Sequence, residues 1–212
     1  MITKILQPKN LYKAYRKVVS NKGSAGVDGM GVKQLRDYMD ANRIDIVRSV
    51  ISGDYIPSAI KGVEIPKASG GKRLLGVPTV VDRWLQQAVS QQLMTKFELE
   101  FSAHSYGFRP KKNLQQAVQQ SLEYINDGYQ DIVDIDLSKF FDEVEHYKIL
   151  QLIYEKVKCR TTLRLIRKWL QAPILVNGVL EKRRKGVPQG SCLLYTSPSP
   201  RDATLSRMPS SA

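Results

Sequence analysis

The chain has 212 residues, room for one or two domains, and 42% of them are hydrophobic, enough to build a core. No apolar run is long enough to span a membrane and the N-terminus carries no secretory signal, so a cytoplasmic protein is expected. Lys plus Arg number 33 against 20 Asp plus Glu, a net charge of +13 with a pI near 9.7, which points to a polyanion such as nucleic acid; the cysteines, Cys159 and Cys192, make neither a disulfide framework nor a metal site.

In chain order, residues 9–20 suit a helix, Gly23-Ser24-Ala25-Gly26-Val27-Asp28-Gly29 reads as a loop, and Val32–Ser52 as a second helix. Ile60–Pro66 and Lys72–Val77 read as strands joined by a hairpin turn, Lys67-Ala68-Ser69-Gly70-Gly71. Val81–Phe101 is an amphipathic helix, with Trp84, Leu85, Ala88, Val89, Leu93 and Phe97 near helical spacing and Thr79 or Asp82 as cap. Asn113–Asn126 is another helix, and Asp131–Asp136 alternates as a strand. Helices over His146–Val157 and Thr162–Gln171 follow. A second hairpin, Ile174–Val176 and Leu180–Arg183, turns over Asn177-Gly178, a type I′ signal. The mixture predicts an α+β fold.

Four segments carry chemistry. In Asp131-Ile132-Val133-Asp134-Ile135-Asp136-Leu137-Ser138-Lys139-Phe140-Phe141-Asp142, a strand turns Asp134 and Asp136 to one side and Val133 and Ile135 to the other. Two carboxylates on one face repel, and a Mg²⁺ ion would relieve that; a solvent-facing edge with a capping Asp is the alternative. Lys185-Gly186-Val187-Pro188-Gln189-Gly190-Ser191 is by itself a turn pattern. The hairpin around Lys67, Lys72 and Arg73 is able to fold cations over a triphosphate, or to be a solvated edge. In Ser105-Tyr106-Gly107-Phe108-Arg109-Pro110-Lys111-Lys112-Asn113, basic and aromatic residues interleave, as suits either RNA or a loop anchored by its aromatics.

Taken together and in this order, these blocks resemble reverse transcriptases of the group II intron family over roughly residues 20–191. The resemblance implies the fingers and an incomplete palm of a right-hand polymerase, with a boundary near residue 130. It also implies the substrates: an RNA template, intron RNA, a DNA primer and deoxynucleoside triphosphates. Asp136 becomes a catalytic Mg²⁺ ligand, with the Leu137 carbonyl a second contact. Phe141 falls at the steric gate beneath the incoming sugar, while Phe140 is expected in the core and Asp134 and Asp142 as solvating or capping groups. Gln189 falls beside the sugar and base, and Lys67 and Arg73 hold the phosphates. Arg109, Lys111 and Lys112 are carried over as RNA-binding, and the loop 23–29 resembles the family's N-terminal extension, which contacts template RNA. The second carboxylate pair of the family has no counterpart here, so the chain by itself is expected to be inactive. Non-catalytic splicing cofactors (maturases) and retron or diversity-generating reverse transcriptases are the alternatives.

The last residues, Cys192–Ala212, break the pattern. Leu193–Asp202 and Ser206–Ala212 resemble in-frame translations of two segments of a sequencing-library adapter. The tail is expected to be artefactual and disordered.

Overall fold

The structure, a computed structural model, describes residues 1–66, 70–137 and 139–188. Lys67, Ser138, Gln189 and the whole Cys192–Ala212 tail lie outside the described residues.

A short helix, α1 (Ile2–Ile5), leads into α2 (Pro8–Ser20), which starts on Pro8, where a missing N–H costs nothing. Leu11, Ala14 and Val18 fall on one face of α2 and are buried. Helix α3 (Leu35–Ser52) stops at Gly53, which takes the left-handed conformation. The hairpin strands β1 (Ile60–Pro66) and β2 (Lys72–Val77) have the bounds the sequence predicts. Helix α4 (Val80–Phe97) is capped by Thr79, whose hydroxyl accepts from the Asp82 amide. Next come α5 (Leu114–Asn126), α6 (Phe140–Glu143), α7 (His146–Val157) and α8 (Arg160–Gln171). Strands β3 (Ile174–Val176) and β4 (Val179–Glu181) follow.

The core gathers α1, α2, α3, α4 and α8. Trp84 sits fully buried at its centre and donates its indole N–H to the Leu11 carbonyl at 2.9 Å. The four strands form one sheet in the order β2-β1-β3-β4. Strand β1 pairs antiparallel with β2 and parallel with β3, in a register that sets Ile60 opposite Ile174. The sheet therefore joins strands from before and after residue 130. Asn177 and Gly178 both have positive φ, 49° and 83°, as a type I′ turn requires.

One buried carboxylate ties these elements together. Asp82 accepts hydrogen bonds from the Tyr55 hydroxyl (2.8 Å), the Trp169 indole (2.9 Å), the Thr79 hydroxyl (2.7 Å) and the Ser58 amide (3.1 Å). Burial pushes the Asp82 carboxyl above its usual range, against the downward pull of those four donors.

The structure corrects several expectations. Helix α3 begins at Leu35 rather than Val32, β4 ends at Glu181 rather than Arg183, and α8 begins at Arg160. Helix α4 gives way after Phe97 to a single 3₁₀ turn, Glu98–Glu100. Asp131–Asp136 is not a strand: residues 131–137 have no regular secondary structure and are exposed, with Ile132 at 86%, Val133 at 82% and Ile135 at 84% exposure. Alternation selects a face, but a strand also needs a ladder partner, and no strand among the described residues pairs with it. Phe140 is exposed rather than in the core, and the residue at the α6 N-cap is Lys139, not Asp142.

Asp82→Ala is expected to destabilise the chain by about 3 kcal/mol or more, because it leaves several buried donors without an acceptor. Urea unfolding followed by circular dichroism measures it; a loss under about 0.5 kcal/mol, the size of an ordinary surface substitution, would refute the tie.

Candidate functional site

The block around Phe141 and the block around Pro188 are far apart in sequence and joined by backbone in the fold. The Gly186 amide donates to the Val144 carbonyl at 2.7 Å and the Val187 amide to the Phe141 carbonyl at 2.6 Å. Lys185 forms an isolated β-bridge with Glu145 and an ion pair with Glu143, and the Lys185 ammonium holds the Glu143 carboxyl below its usual range. His146, at the start of α7, is buried and contacts the Gly186 carbonyl through Nε2 at 2.9 Å. A carbonyl only accepts, so Nε2 carries the hydrogen.

Gly186 is what permits the close approach. Its φ is +78°, and a Cβ there would fall 2.7 and 2.8 Å from the carbonyl oxygens of Asp142 and Phe141. Phe141 itself is half-buried, its ring centroid 5.4 Å from that of Phe140 in an edge-on arrangement.

The hairpin joins this cluster from the other side. Pro188 packs onto Gly76 of β2 so tightly that a Cβ at position 76 would lie 2.6 Å from the proline ring. Arg73 stands three residues up the same strand, paired across the ladder with Ile65, and is half-buried. Lys72 pairs with Glu64 at 2.6 Å. Segments from β2, α6 and the stretch after β4 thus meet around Pro188.

Asp136 and Leu137 stand on the exposed segment that precedes α6. No group of three metal-ligating side chains comes together among the described residues. Asp134 and Asp136, two residues apart on one exposed stretch, do not by themselves make a two-metal site.

The basic-aromatic block has a different character from the one expected. Arg109 is not an open cation: its side chain is 8% exposed and ion-paired to Glu98 at 2.8 Å. It also donates to the carbonyls of Ser102 and Ser105 and lies 5.2 Å from the Phe101 ring centroid. With several of its donors engaged within its own loop, Arg109 anchors that loop. Lys112 reaches the Ala103 carbonyl at 3.0 Å and lies over the Tyr106 ring at 4.7 Å. Lys111 is exposed and has a positive φ of 62°. The block ends in a capping box, in which Asn113 and Gln116 exchange hydrogen bonds at the start of α5. The Gly-rich loop is held by Arg83, which donates to the Ser24 carbonyl at 2.6 Å.

A family profile described as "Reverse transcriptase (RNA-dependent DNA polymerase)" matches residues 65–199. The chain belongs to the reverse transcriptase family. The match takes in β2, the Asp136 segment and the Pro188 block, and runs past Ser191 into the stretch read from sequence as adapter. Protein YkfC of Escherichia coli (strain K12) is 31% identical over 196 residues, 89% of this chain and 51% of YkfC. The group II intron-encoded protein LtrA of Lactococcus lactis subsp. cremoris is 32% identical over 190 residues, 89% of this chain and 31% of LtrA. The chain therefore spans about half of one relative and a third of the other. A chain of the partial Cas6-RT-Cas1–Cas2 complex shares the fold, with a TM-score of 0.60 and 21% identity over 92% of this chain and 33% of its own length. That likeness agrees with the α+β expectation. No helix among the described residues is long and apolar enough to cross a membrane.

Sequence reasoning missed His146, Glu143 and the hub role of Asp82. A lone histidine before an apolar run gives no signal of the carbonyl it will meet, and Asp82 read only as a cap.

Gly186→Ala is expected to destabilise the chain by about 1–3 kcal/mol, combining a positive-φ penalty with a backbone clash. Thermal unfolding monitored by circular dichroism checks this; an unchanged midpoint would mean that the Phe141–Val187 clasp is not held as described.

Proposed function

We propose that this chain is the fingers (residues 1–130) and part of the palm (131–191) of a group II intron-type reverse transcriptase, which extends a DNA primer on an RNA template and binds intron RNA. The observation that carries this is the convergence of three motif segments around Pro188. Gly76 of β2 lies against Pro188, the Val187 amide bonds to Phe141, and the chain then enters Gln189. A nucleotide lying along that junction would have the hairpin cations at its phosphates and the Phe141 ring beneath its sugar. Likeness to LtrA, an intron-encoded protein, favours the intron type over retron or diversity-generating enzymes.

In this reading Arg73 and Lys67 hold the triphosphate through charge-assisted hydrogen bonds. Gln189 lies beside the sugar and base, and Phe141 excludes a 2′-hydroxyl. Asp136 and the Leu137 carbonyl contribute ligands to Mg²⁺, whose other ligands are not among the described residues. Lys111 and Lys112 face RNA, with Arg109 shaping their loop.

The test is primer extension on an RNA template by the gene's full product. Phe141→Ala is expected to lower discrimination against ribonucleotides, and Arg73→Ala to raise KM for deoxynucleotides by on the order of tenfold, the loss of about one charged contact. Unchanged selectivity would reduce Phe141 to a packing partner of Phe140. RNA binding without any extension would favour the non-catalytic splicing cofactor instead.

The 212-residue chain alone is expected to give no extension, because one motif carboxylate cannot hold two metal ions. Mg²⁺-dependent, template-dependent incorporation by the purified chain would refute this.

A further inference from the structure

Helix α8 buries Thr162, Leu165, Ile166, Trp169 and Leu170 in the core. Its opposite face presents Arg160, Arg164 and Arg167, all exposed, at the i, i+4, i+7 spacing that makes one stripe. From Val157 to Leu180 the sequence has five basic residues and no Asp or Glu. Among the described residues no carboxylate comes within ion-pair distance of these three arginines.

The stripe runs against local preference. Arg160 opens the helix, and the first turn holds no acidic residue to offset the positive end of the helix dipole. The remaining cation of α8, Lys168, is used differently: it donates to the carbonyls of Gly53 and Tyr55, at 2.7 and 2.8 Å, and closes the end of α3. Arg160 and Arg167 make no such contact among the described residues, whereas the Arg164 guanidinium lies against Gly53.

We infer that this face of α8 is a second RNA-binding surface, apart from the Pro188 junction, which takes the phosphate backbone of structured RNA. From Arg160 to Arg167 the helix rises about 10.5 Å, enough to meet about three successive phosphates of one strand. Guanidinium groups suit that partner, because their planar fork matches phosphate oxygens. A membrane surface fits less well: a helix that lies on a membrane inserts an apolar face, and the apolar face of α8 is already buried.

The test is binding of the 212-residue chain to a short RNA hairpin, followed by fluorescence anisotropy across a salt series. It does not depend on polymerase activity, so its failure is distinct from failure of primer extension. The Arg160→Ala, Arg164→Ala, Arg167→Ala triple variant is expected to bind more weakly and to flatten the slope of log affinity against log salt by about two to three units. Three Arg→Lys changes are expected to keep most of that slope, since the charge is retained. Because Arg164 touches Gly53, the Arg160→Ala, Arg167→Ala pair serves if the triple variant melts early, with a flattening of about two units. Wild-type affinity and slope in a folded variant would overturn the proposal. So would unchanged RNA binding with lost binding to phosphatidylserine vesicles, which would make the face a membrane contact.

Discussion

Both feet of the β1–β2 hairpin are tied to one carboxylate. Ser58 precedes β1 and Thr79 follows β2, and both donate to the same oxygen of Asp82. The other oxygen takes Tyr55, from just beyond α3, and Trp169 of α8. A buried charge is costly unless its lone pairs are filled, and here four donors fill them. The hairpin's direction, the seat of α8 and hence the start of β3 are therefore settled together. Because β3 pairs with β1, and Pro188 beyond β4 packs on β2, the junction proposed to hold a nucleotide inherits its geometry from a group that need not touch one.

A second constraint acts at the junction itself. The two backbone hydrogen bonds to Val144 and Phe141 fix how far the stretch after β4 stands from α6. Main-chain bonds of this kind do not depend on which side chains flank them, whereas the approach does require position 186 to lack a Cβ. The exposed Glu143–Lys185 pair adds little stability beside them, being well solvated.

Much of the fold was legible because its signals are local. The hairpin bounds follow from alternation on either side of a Gly-Gly turn, the second hairpin from Asn177-Gly178, and the start of α4 from Thr79. The Trp84-Leu85-Ala88-Val89-Leu93 stripe was read as a core face and is one. What escaped was non-local. The Arg109–Glu98 ion pair spans a loop that composition cannot fold. The clasp joins residues some forty positions apart, and only a family resemblance suggested that their motifs share a site.

The segment 131–137 poses a different problem, because its alternation was read correctly and still did not give a strand. Val133, Ile135 and Leu137 are exposed, and Asp134 and Asp136 alternate with them in sequence. Nearby, α5 carries Leu114, Val118, Leu122 and Ile125 at helical spacing, and none of them is buried. Exposed apolar stripes of this extent mark surfaces meant to be covered. The backbone of 131–137 has no ladder among the described residues, its apolar residues are uncovered, and Asp136 needs further carboxylates before two metal ions would be held. A paired strand bearing acidic side chains would meet the first and last of these needs at once. The chemistry proposed for Asp136 and the order of this half of the fold are thus one requirement, whereas the paired strands β1 and β2, the clasp and the helical core lie within the described residues.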